Sequence, residues 1–539
     1  MPSSNRSAKR RFPQLILIAA LVLASRAPFL LHGDRFFDSD EAVEGLMARH
    51  VLQGEHPAFL WGQHYKGVPE VYAASAAFAL AGPSVVALKG VTLLCFVAFV
   101  CVQFVLVDRL FSRGVAWLAT AFLVVCPPSF VLWSLSANAE IVMTLLAGTV
   151  MCLGVDVWRR TGSRAALIAA AAAAGFGLWV QQFIIYYLVA LALALAHGLP
   201  RRRELLLHVV SLGNMPPWLR RLTYVLATGA LLYVMLGAVA FATGGFDVIL
   251  GGVPIAVHHA QKLWNIAATI VGVWGAARAV SIAVHHPAWR PLIVPTVLAF
   301  VAGYAPALAA RAASGGSAPI GHADLAGVAA SLSPVAREIV PIVFGFRSPT
   351  TGWLGLPAWL ALAPALAIVA SFVAIRRSTA TPLFHLLVLT APVLFLLSGS
   401  FVDAQSYRYL MPTFGALSVV MAVGVAGTFR WSRAAGVGLL VVLLALFGLE
   451  QRHWYQQLPP DTESAAIIRC LDEAGVRTAY ADYWLSYKLT FLSGERIIIS
   501  PNKGVDRYPA YTAQVRAEPS SPTIAATMSR SCASILSSR

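Results

Sequence analysis

The sequence has few charged residues for its length, and this shortage sets its class. Only 12% of the 539 residues are charged, whereas 58% are hydrophobic. Soluble domains carry about 25% charged residues. The composition therefore excludes a soluble globular protein and predicts an all-α polytopic membrane protein.

Acidic residues are especially scarce, since 24 Asp and Glu stand against 40 Lys and Arg, a formal net charge of +16. Most basic residues lie in short clusters between apolar runs, as expected of loops on the cytoplasmic side of a membrane. The positive balance therefore requires no nucleic-acid partner. The chain also lacks an internal repeat, which disfavours the many transporters that are built from repeats.

Cysteine is rare, with six residues in all. Four of them, Cys95, Cys101, Cys126 and Cys152, lie in apolar runs and are typical of small core residues. Cys470 and Cys532 lie in a polar tail. If that tail is exported, the two could form a disulfide, although spacing alone does not decide it.

About thirteen apolar runs approach the roughly 20 residues that a spanning helix needs. They are residues 13–31, 84–107, 114–132, 138–157, 164–180, 183–198, 222–242, 263–284, 291–310, 355–375, 383–398, 409–429 and 434–449. If the N-terminus is cytoplasmic, every second connection is basic, which supports that orientation. The run 263–284 contains Arg278 and is the weakest of the set.

This topology divides the chain in two. Residues 1–450 form the membrane domain, with extracytoplasmic loops at 32–83 and 311–354. Residues 451–539 form an extracytoplasmic tail, in which helices over Thr462–Ala474 and Tyr483–Leu492 alternate with strands over Val476–Ala481 and Arg496–Ser500. We therefore expect a small C-terminal α/β module. The excess of Arg over Lys is typical of a GC-rich bacterial genome, so the expected location is the bacterial inner membrane.

The densest acidic cluster follows the first apolar run, where Asp38, Asp40, Glu41 and Glu44 occur within seven residues. Asp38 can cap a helix over Ser39–Gln53, with Glu41 at the third position. That helix would place Asp40 and Glu44 on one face, where like charges repel. Acidic residues at a membrane exit usually serve binding or catalysis, so we predict a functional role beyond capping.

Three further polar sites lie in the predicted extracytoplasmic loops. Lys66 stands beside Tyr65 and a Gly-Val-Pro turn, a pattern that suits either a lipid phosphate or simple interfacial anchoring. Glu140 follows a short turn at the start of an apolar helix. Arg408 and Tyr409 precede another, and a guanidinium there can either snorkel or clamp a phosphate through its planar fork.

Together these motifs resemble the GT-C superfamily of membrane glycosyltransferases, in particular the branch that holds protein O-mannosyltransferases and the lipid A aminoarabinose transferase. Asp40-Glu41-Ala42 is similar to the Asp-Glu pair of that family's first extracytoplasmic loop. Tyr65-Lys66-Gly67-Val68-Pro69 is a degenerate form of its Tyr/Phe-x-Lys-Pro-Pro element, and Glu140 is a loose match to a second carboxylate. Arg408-Tyr409-Leu410-Met411-Pro412 fits its late Arg-Tyr-x-x-Pro element.

The resemblance implies an inverting glycosyltransferase, hexosyl or pentosyl in type, that uses a polyprenyl-phosphate sugar. Asp40 would be the general base, and Glu41 would orient the acceptor or stabilise positive charge developing on the sugar, with Asp38, Glu44 and Glu140 as secondary candidates. Lys66, Arg408 and Tyr409 would bind the donor phosphate. Some relatives use a divalent metal, for which Asp38 and Asp40 are the candidate ligands.

Other interpretations remain open at this point. The acceptor would be a lipid, a glycan or a protein, and the donor glycan could be longer, as in a ligase or polymerase. The chain could instead be a transporter or flippase of lipid-linked sugars. It could also be a membrane scaffold whose tail binds a partner through the aromatic cluster at 483–487, although that cluster is expected to pack the module's own core.

Overall fold

The structure is a computed structural model. It describes residues 3–138, 140–197, 217–243, 245–250, 253–257, 270, 274, 290–314, 325–348, 350, 352–378, 380–524 and 536–537. Within these ranges the protein is predominantly helical. This confirms the predicted all-helical membrane architecture.

Among the described residues, eight helical segments are long and apolar enough to cross a membrane. Two of them continue from a short 3-10 turn, Ala358–Ala361 or Ala404–Thr413. The α-helices are Ser3–Leu31, Val85–Leu110, Glu140–Thr161, Pro217–Thr243, Arg290–Ser314, Leu362–Arg376, Phe414–Trp431 and Arg433–Gln457.

Four shorter apolar helices match four more of the predicted runs. They are Arg113–Val124, Arg164–Val180, Ile184–His197 and Leu383–Leu397. The predicted run 263–284 lies outside the described residues, apart from two isolated positions. Twelve of the thirteen runs therefore correspond to a helix, and the total number of spans stays a prediction.

The predicted run 114–132 is not one helix. It ends at Val124 and resumes as a short helix, Pro128–Trp133. Pro127 and Pro128 cause the break, because proline lacks the N–H of a helix interior and clashes with the preceding turn. The second helix begins with Pro128 at its first position, where proline is well tolerated.

Several elements of the long loops were not predicted. A hairpin joins strands Phe246–Leu250 and Val253–Val257. The loop 311–354 contains a helix, Leu325–Pro334, that continues through a π turn into Val340–Val343. A hairpin of two strands, each two residues long, follows. The loop 311–354 is rich in Gly, Ser and Pro, and this composition hides the periodicity of its helix.

The first loop after the N-terminal helix carries the acidic cluster. A 3-10 turn, Gly33–Phe36, leads into the acidic helix, Ser39–Leu52, close to the predicted bounds. A hairpin of strands Phe59–Leu60 and Gln63–Gly67 follows and carries Lys66. The helix Pro69–Ala81 then returns the chain to the membrane helices.

The described part of the C-terminal module contains helices and strands close to the predicted bounds, and its separation as a domain stays a prediction. Its helices are Thr462–Glu473, Tyr483–Leu492 and Pro509–Ala517. Strands Thr478–Asp482 and Ile498–Lys503 pair in parallel, and Thr523–Ile524 and Leu536–Ser537 extend the sheet on the other side. The preceding membrane helix runs on to Gln457, beyond the predicted boundary at 450.

The described cysteines are in two states. Cys470 is disulfide-bonded, and Cys532 lies outside the described residues. Cys95, Cys101, Cys126 and Cys152 carry free thiols.

The module packs directly on the acidic helix. Tyr483, Tyr487 and Phe491 form one hydrophobic cluster with Phe37 and other residues of the first loop. A side chain at Gly45 would come within 2.6 Å of the Phe491 ring, so only glycine permits this close approach. The prediction that the 483–487 aromatics pack the module's own core is therefore corrected, because Tyr483 and Tyr487 are buried against the first loop, whereas Trp484 is exposed.

Candidate active site

Asp38 begins the acidic helix as its N-cap. Its side chain accepts a hydrogen bond from the Glu41 backbone N–H at 3.0 Å, as the sequence predicted. Glu41 does not return a side-chain bond to Asp38, because its carboxylate is bound elsewhere. Half of the capping box is therefore formed, and the Glu41 side chain has another role.

Glu41 forms a buried ion pair with Lys89, on the helix Val85–Leu110. The Lys89 Nζ lies 2.7 and 2.6 Å from the two carboxylate oxygens, and the Ala137 backbone N–H donates to one of them at 3.0 Å. Neither side chain is more than 1% exposed. Burial raises the pKa of Glu41, and the Lys89 ammonium opposes that shift. This pair holds the acidic helix on the membrane domain.

Asp40 points to the C-terminal module instead. The Tyr483 hydroxyl donates a hydrogen bond to Oδ1 of Asp40, and the Arg507 Nη2 lies 3.5 Å from the same oxygen. Arg507 also donates to the Tyr483 hydroxyl at 3.2 Å. Asp40 remains partly exposed, with 17% of its side-chain surface accessible. Two residues from the other end of the chain thus orient a carboxylate that solvent can still reach.

The other acidic candidates differ in setting. Glu44 is one turn beyond Asp40 on the acidic helix and is almost fully buried. Glu140 begins the helix Glu140–Thr161, and its side chain lies outside the described part of the structure.

Two of the candidate phosphate-binding residues, Lys66 and Tyr409, lie near the turn between the helices Arg164–Val180 and Ile184–His197. Lys66 is 8% exposed, and a Cβ at the following Gly67 would lie 2.5 Å from the Trp179 carbonyl oxygen. The Tyr409 ring lies 5.2 Å from that of Phe183, four residues after Trp179. Lys66 and Tyr409 therefore flank the same turn between two membrane helices.

Arg408 is held in place by its neighbour. Its Nη2 donates to the Tyr409 hydroxyl at 3.1 Å, and its guanidinium lies 5.0 Å from the centre of that ring.

Asp38 has a different protonation behaviour from an ordinary carboxyl. Enclosure by protein, together with the charges of Glu41 and Asp40, raises its pKa to about 7. The Glu41 N–H and the Lys89 ammonium oppose this shift without cancelling it. Near neutral pH, Asp38 is therefore divided between its acid and its carboxylate form.

A second polar cluster joins the module to the end of the acidic helix. The His50 ring lies 2.8 Å from Glu55 and 2.9 Å from Glu495, and Arg49 Nε lies 3.1 Å from Glu495. The Tyr511 hydroxyl donates to Glu495 at 2.6 Å. The two carboxylates raise the pKa of His50 despite its burial, and this interaction lowers the pKa of Glu495.

The arrangement of Asp38 and Asp40 does not fit a divalent metal. One carboxylate caps a helix and the other faces the Arg507 guanidinium, which would oppose a bound cation. Within the described ranges, no group of three or more His, Cys, Asp or Glu side chains is placed to hold a metal ion.

Sequence reasoning missed three residues of this site. Lys89 carried a signal, because a lone Lys inside the apolar run 84–107 has to find a partner. Tyr483 and Arg507 carried none, since their contacts with Asp40 span more than 440 residues of chain. Only the docking of the module on the acidic helix brings them together.

Comparison with known proteins gives structural similarities alone. No family model matches the chain, and no curated protein sequence matches it. The archaeal oligosaccharyltransferase AglB from Archaeoglobus fulgidus, in complex with an inhibitory peptide and a dolichol-phosphate, is 16% identical over 92% of this chain and 64% of its own, with a TM-score of 0.47. Its apo form is 15% identical over 96% and 69%, with a TM-score of 0.49.

ArnT from Cupriavidus metallidurans, bound to undecaprenyl phosphate, is 16% identical over 95% of this chain and 90% of its own, with a TM-score of 0.36. The chain thus spans slightly under two thirds of the AglB complex chain and most of ArnT. At these identities and TM-scores the likeness is one of general architecture, and it transfers no activity to this chain.

Proposed function

We propose that this multi-pass membrane protein is an inverting glycosyltransferase. It moves a sugar from a polyprenyl-phosphate donor to a hydroxyl on the extracytoplasmic side. The observation that carries this proposal is the Asp40 carboxylate, which two side chains orient while it stays accessible at the membrane exit. The sequence resemblance to membrane glycosyltransferases supports it, because Asp40 and Glu41 match that family's Asp-Glu pair.

In this mechanism Asp40 accepts the proton of the acceptor hydroxyl. The acceptor oxygen then attacks the anomeric carbon in line, and the bond from that carbon to the phosphate oxygen breaks with inversion. The electron pair leaves with the polyprenyl phosphate. A base of this kind has to be fixed in position, and the contacts from Tyr483 and Arg507 do this.

The leaving phosphate gains negative charge as the bond breaks. Lys66 and Arg408 are proposed to stabilise it, because the sequence resemblance implies that role for both and Arg408 is oriented by Tyr409. Charge-assisted hydrogen bonds to phosphate are roughly twice as strong as neutral ones.

Glu41 takes a different role from the one the resemblance implied. Its carboxylate is fully engaged by Lys89 and Ala137, so it does not reach an acceptor. We propose that it fixes the acidic helix and so positions Asp40. Asp38, with its pKa near 7, is the rival base, and the two carboxylates give different pH profiles.

The test is glycosyl transfer by the purified full-length protein in lipid, with a panel of polyprenyl-phosphate hexoses and pentoses. Release of polyprenyl phosphate is followed for the wild type, Asp40→Asn and the matched control Asp34→Asn. Asp34 is an exposed carboxylate of the same loop. We expect release with one donor, retained in the control and lost in Asp40→Asn.

The alternatives make other predictions. A flippase or transporter of lipid-linked sugars would move the donor across the membrane without releasing polyprenyl phosphate. A scaffold would do neither. Release that survives Asp40→Asn would shift the base to Asp38, and no release with any donor from folded protein would count against the enzyme.

A further inference from the structure

A cavity of about 350 Å³ lies at the membrane-helix ends farthest from the acidic helix. The distance between the cavity and the acidic helix follows from Arg109, which lines the cavity, and Lys89, which pairs with Glu41. Both belong to the helix Val85–Leu110 and lie twenty residues apart. At a rise of 1.5 Å per residue they are about 30 Å from each other. The cavity is therefore distinct from the candidate active site.

Three arginines line this cavity: Arg109, Arg160 and Arg430. Each belongs to the last turn of a different helix. A cation at such a position complements the negative end of its helix dipole, and this accounts for each arginine taken singly. Their convergence on one cavity is the feature that needs a further explanation.

The arginines are only partly neutralised. Arg109 Nε and Arg160 Nε lie 2.7 and 2.8 Å from the two oxygens of Asp156, so one carboxylate serves two guanidinium groups. Arg430 makes no hydrogen bond or ion pair with any residue that the structure describes. The three guanidinium groups thus have one adjacent carboxylate among them, which leaves the cavity positively charged.

The rest of the lining is of two kinds. Ser112, Ser378 and Thr381 supply hydroxyl groups, and Ser112 also caps the helix Arg113–Val124, whose positive dipole end faces this region. Leu110, Phe111, Ile375 and Val423 supply apolar surface. A ligand that fits this lining has an anionic end and an apolar end.

We propose that this cavity binds the phosphate headgroup of an anionic membrane lipid. The planar guanidinium fork matches phosphate oxygens, and the hydroxyls complete a set of donors around a tetrahedral anion. The position at the ends of membrane helices is the depth at which lipid headgroups lie. Free phosphate shares the charge, but it makes no use of the apolar lining.

The test uses the full-length protein in neutral detergent micelles. Short-chain phosphatidic acid is titrated and its binding is counted by native mass spectrometry. Diacylglycerol with the same chains, which lacks the phosphate, and inorganic phosphate are titrated separately. The variants are Arg430→Gln and the matched control Arg433→Gln, which removes the same charge from an exposed residue nearby that does not line the cavity.

We expect the wild type and Arg433→Gln to bind phosphatidic acid equally, and Arg430→Gln to bind it about ten-fold more weakly. Equal losses in both variants would mean a general attraction to a basic surface and would overturn the proposal. Binding of diacylglycerol with the same affinity, binding of inorganic phosphate as tight as that of the lipid, or no binding of phosphatidic acid would each overturn it as well.

Discussion

Lys89 and Glu41 form an ion pair in which both carboxylate oxygens accept from one ammonium group, with neither side chain reaching solvent. Lys89 belongs to a membrane helix and Glu41 to the acidic helix. The pair therefore connects the loop that carries Asp40 to the membrane domain. The pair serves mainly to position this loop, since a buried ion pair offers little net stability over well-packed apolar side chains.

Replacing Lys89 by Met should destabilise the protein strongly, because Glu41 would then be a buried carboxylate without its counter-ion. Breaking a buried pair costs about 3–5 kcal/mol. The measurement is the melting temperature of the purified protein. The double variant Lys89→Met with Glu41→Leu is the control, and it should recover much of the loss. A single variant as stable as the wild type would contradict the structural role of this pair.

Tyr483→Phe should lower glycosyl transfer while leaving the fold intact. The variant removes the hydroxyl that donates to Asp40, and a hydrogen bond to a charged group contributes about 1.5–3 kcal/mol. We expect kcat to fall about ten-fold or more. Tyr508→Phe is the matched control, because it removes a hydroxyl of the same module that donates to Glu55 instead. Equal activity of the two variants would contradict a role of the Tyr483 hydroxyl in orienting Asp40.

The titration of Asp38 should appear in the stability of the protein. Because its pKa rises from 3.8 to about 7 on folding, it contributes stability that is fully present below pH 3.8 and is lost as the pH rises through 7. Asp38→Asn keeps a good N-cap but has no carboxyl to titrate. The wild type should therefore lose more stability than the variant between pH 5.5 and 8.5.

Enzymatic assays of the same variant separate the two candidate bases. If Asp40 is the base, Asp38→Asn keeps substantial activity and Asp40→Asn has none at any pH. If Asp38 is the base, Asp38→Asn is the inactive variant, and the wild-type rate rises with pH through 7 as that carboxyl ionises. The pH profile of kcat for the three proteins decides between them.

The cluster around His50 should stabilise the docked module within a limited pH window. A raised pKa of His50 gives stability that is full below pH 6.5 and is lost as the pH rises through its folded value. A lowered pKa of Glu495 gives stability that is full above pH 4.5. His50→Gln should therefore lower the melting temperature more at pH 5.5 than at pH 9, and Glu495→Gln should show the same trend.

The sequence was most informative where one property repeats along the chain. Long apolar runs gave the membrane helices, and Asp38 followed by Glu41 marked the start of the acidic helix within a residue of its true position. The helix Tyr483–Leu492 was also predicted with its observed bounds. Elements of this kind are determined by residues close in sequence, so they can be predicted without knowledge of the tertiary contacts.

The contacts that build the site were less accessible to sequence reasoning. Glu41 was expected to face a substrate and faces Lys89, because nothing in the local sequence tells which carboxylate of a cluster points inward. Arg507 reaches Asp40 only through the docking of the module. The break at Pro127 and Pro128 was readable in principle, but the hydropathy of the run concealed it.

The hydrogen bond from the Ser39 hydroxyl to the Trp484 carbonyl joins residues 445 positions apart. A ribosome that adds about 5–20 residues per second needs about 20 to 90 s to make the intervening chain. During that time the acidic helix has already emerged, yet the side chains that orient Asp40 do not exist. The acidic helix is thus made well before the residues that orient Asp40, so this site is assembled only at the end of synthesis.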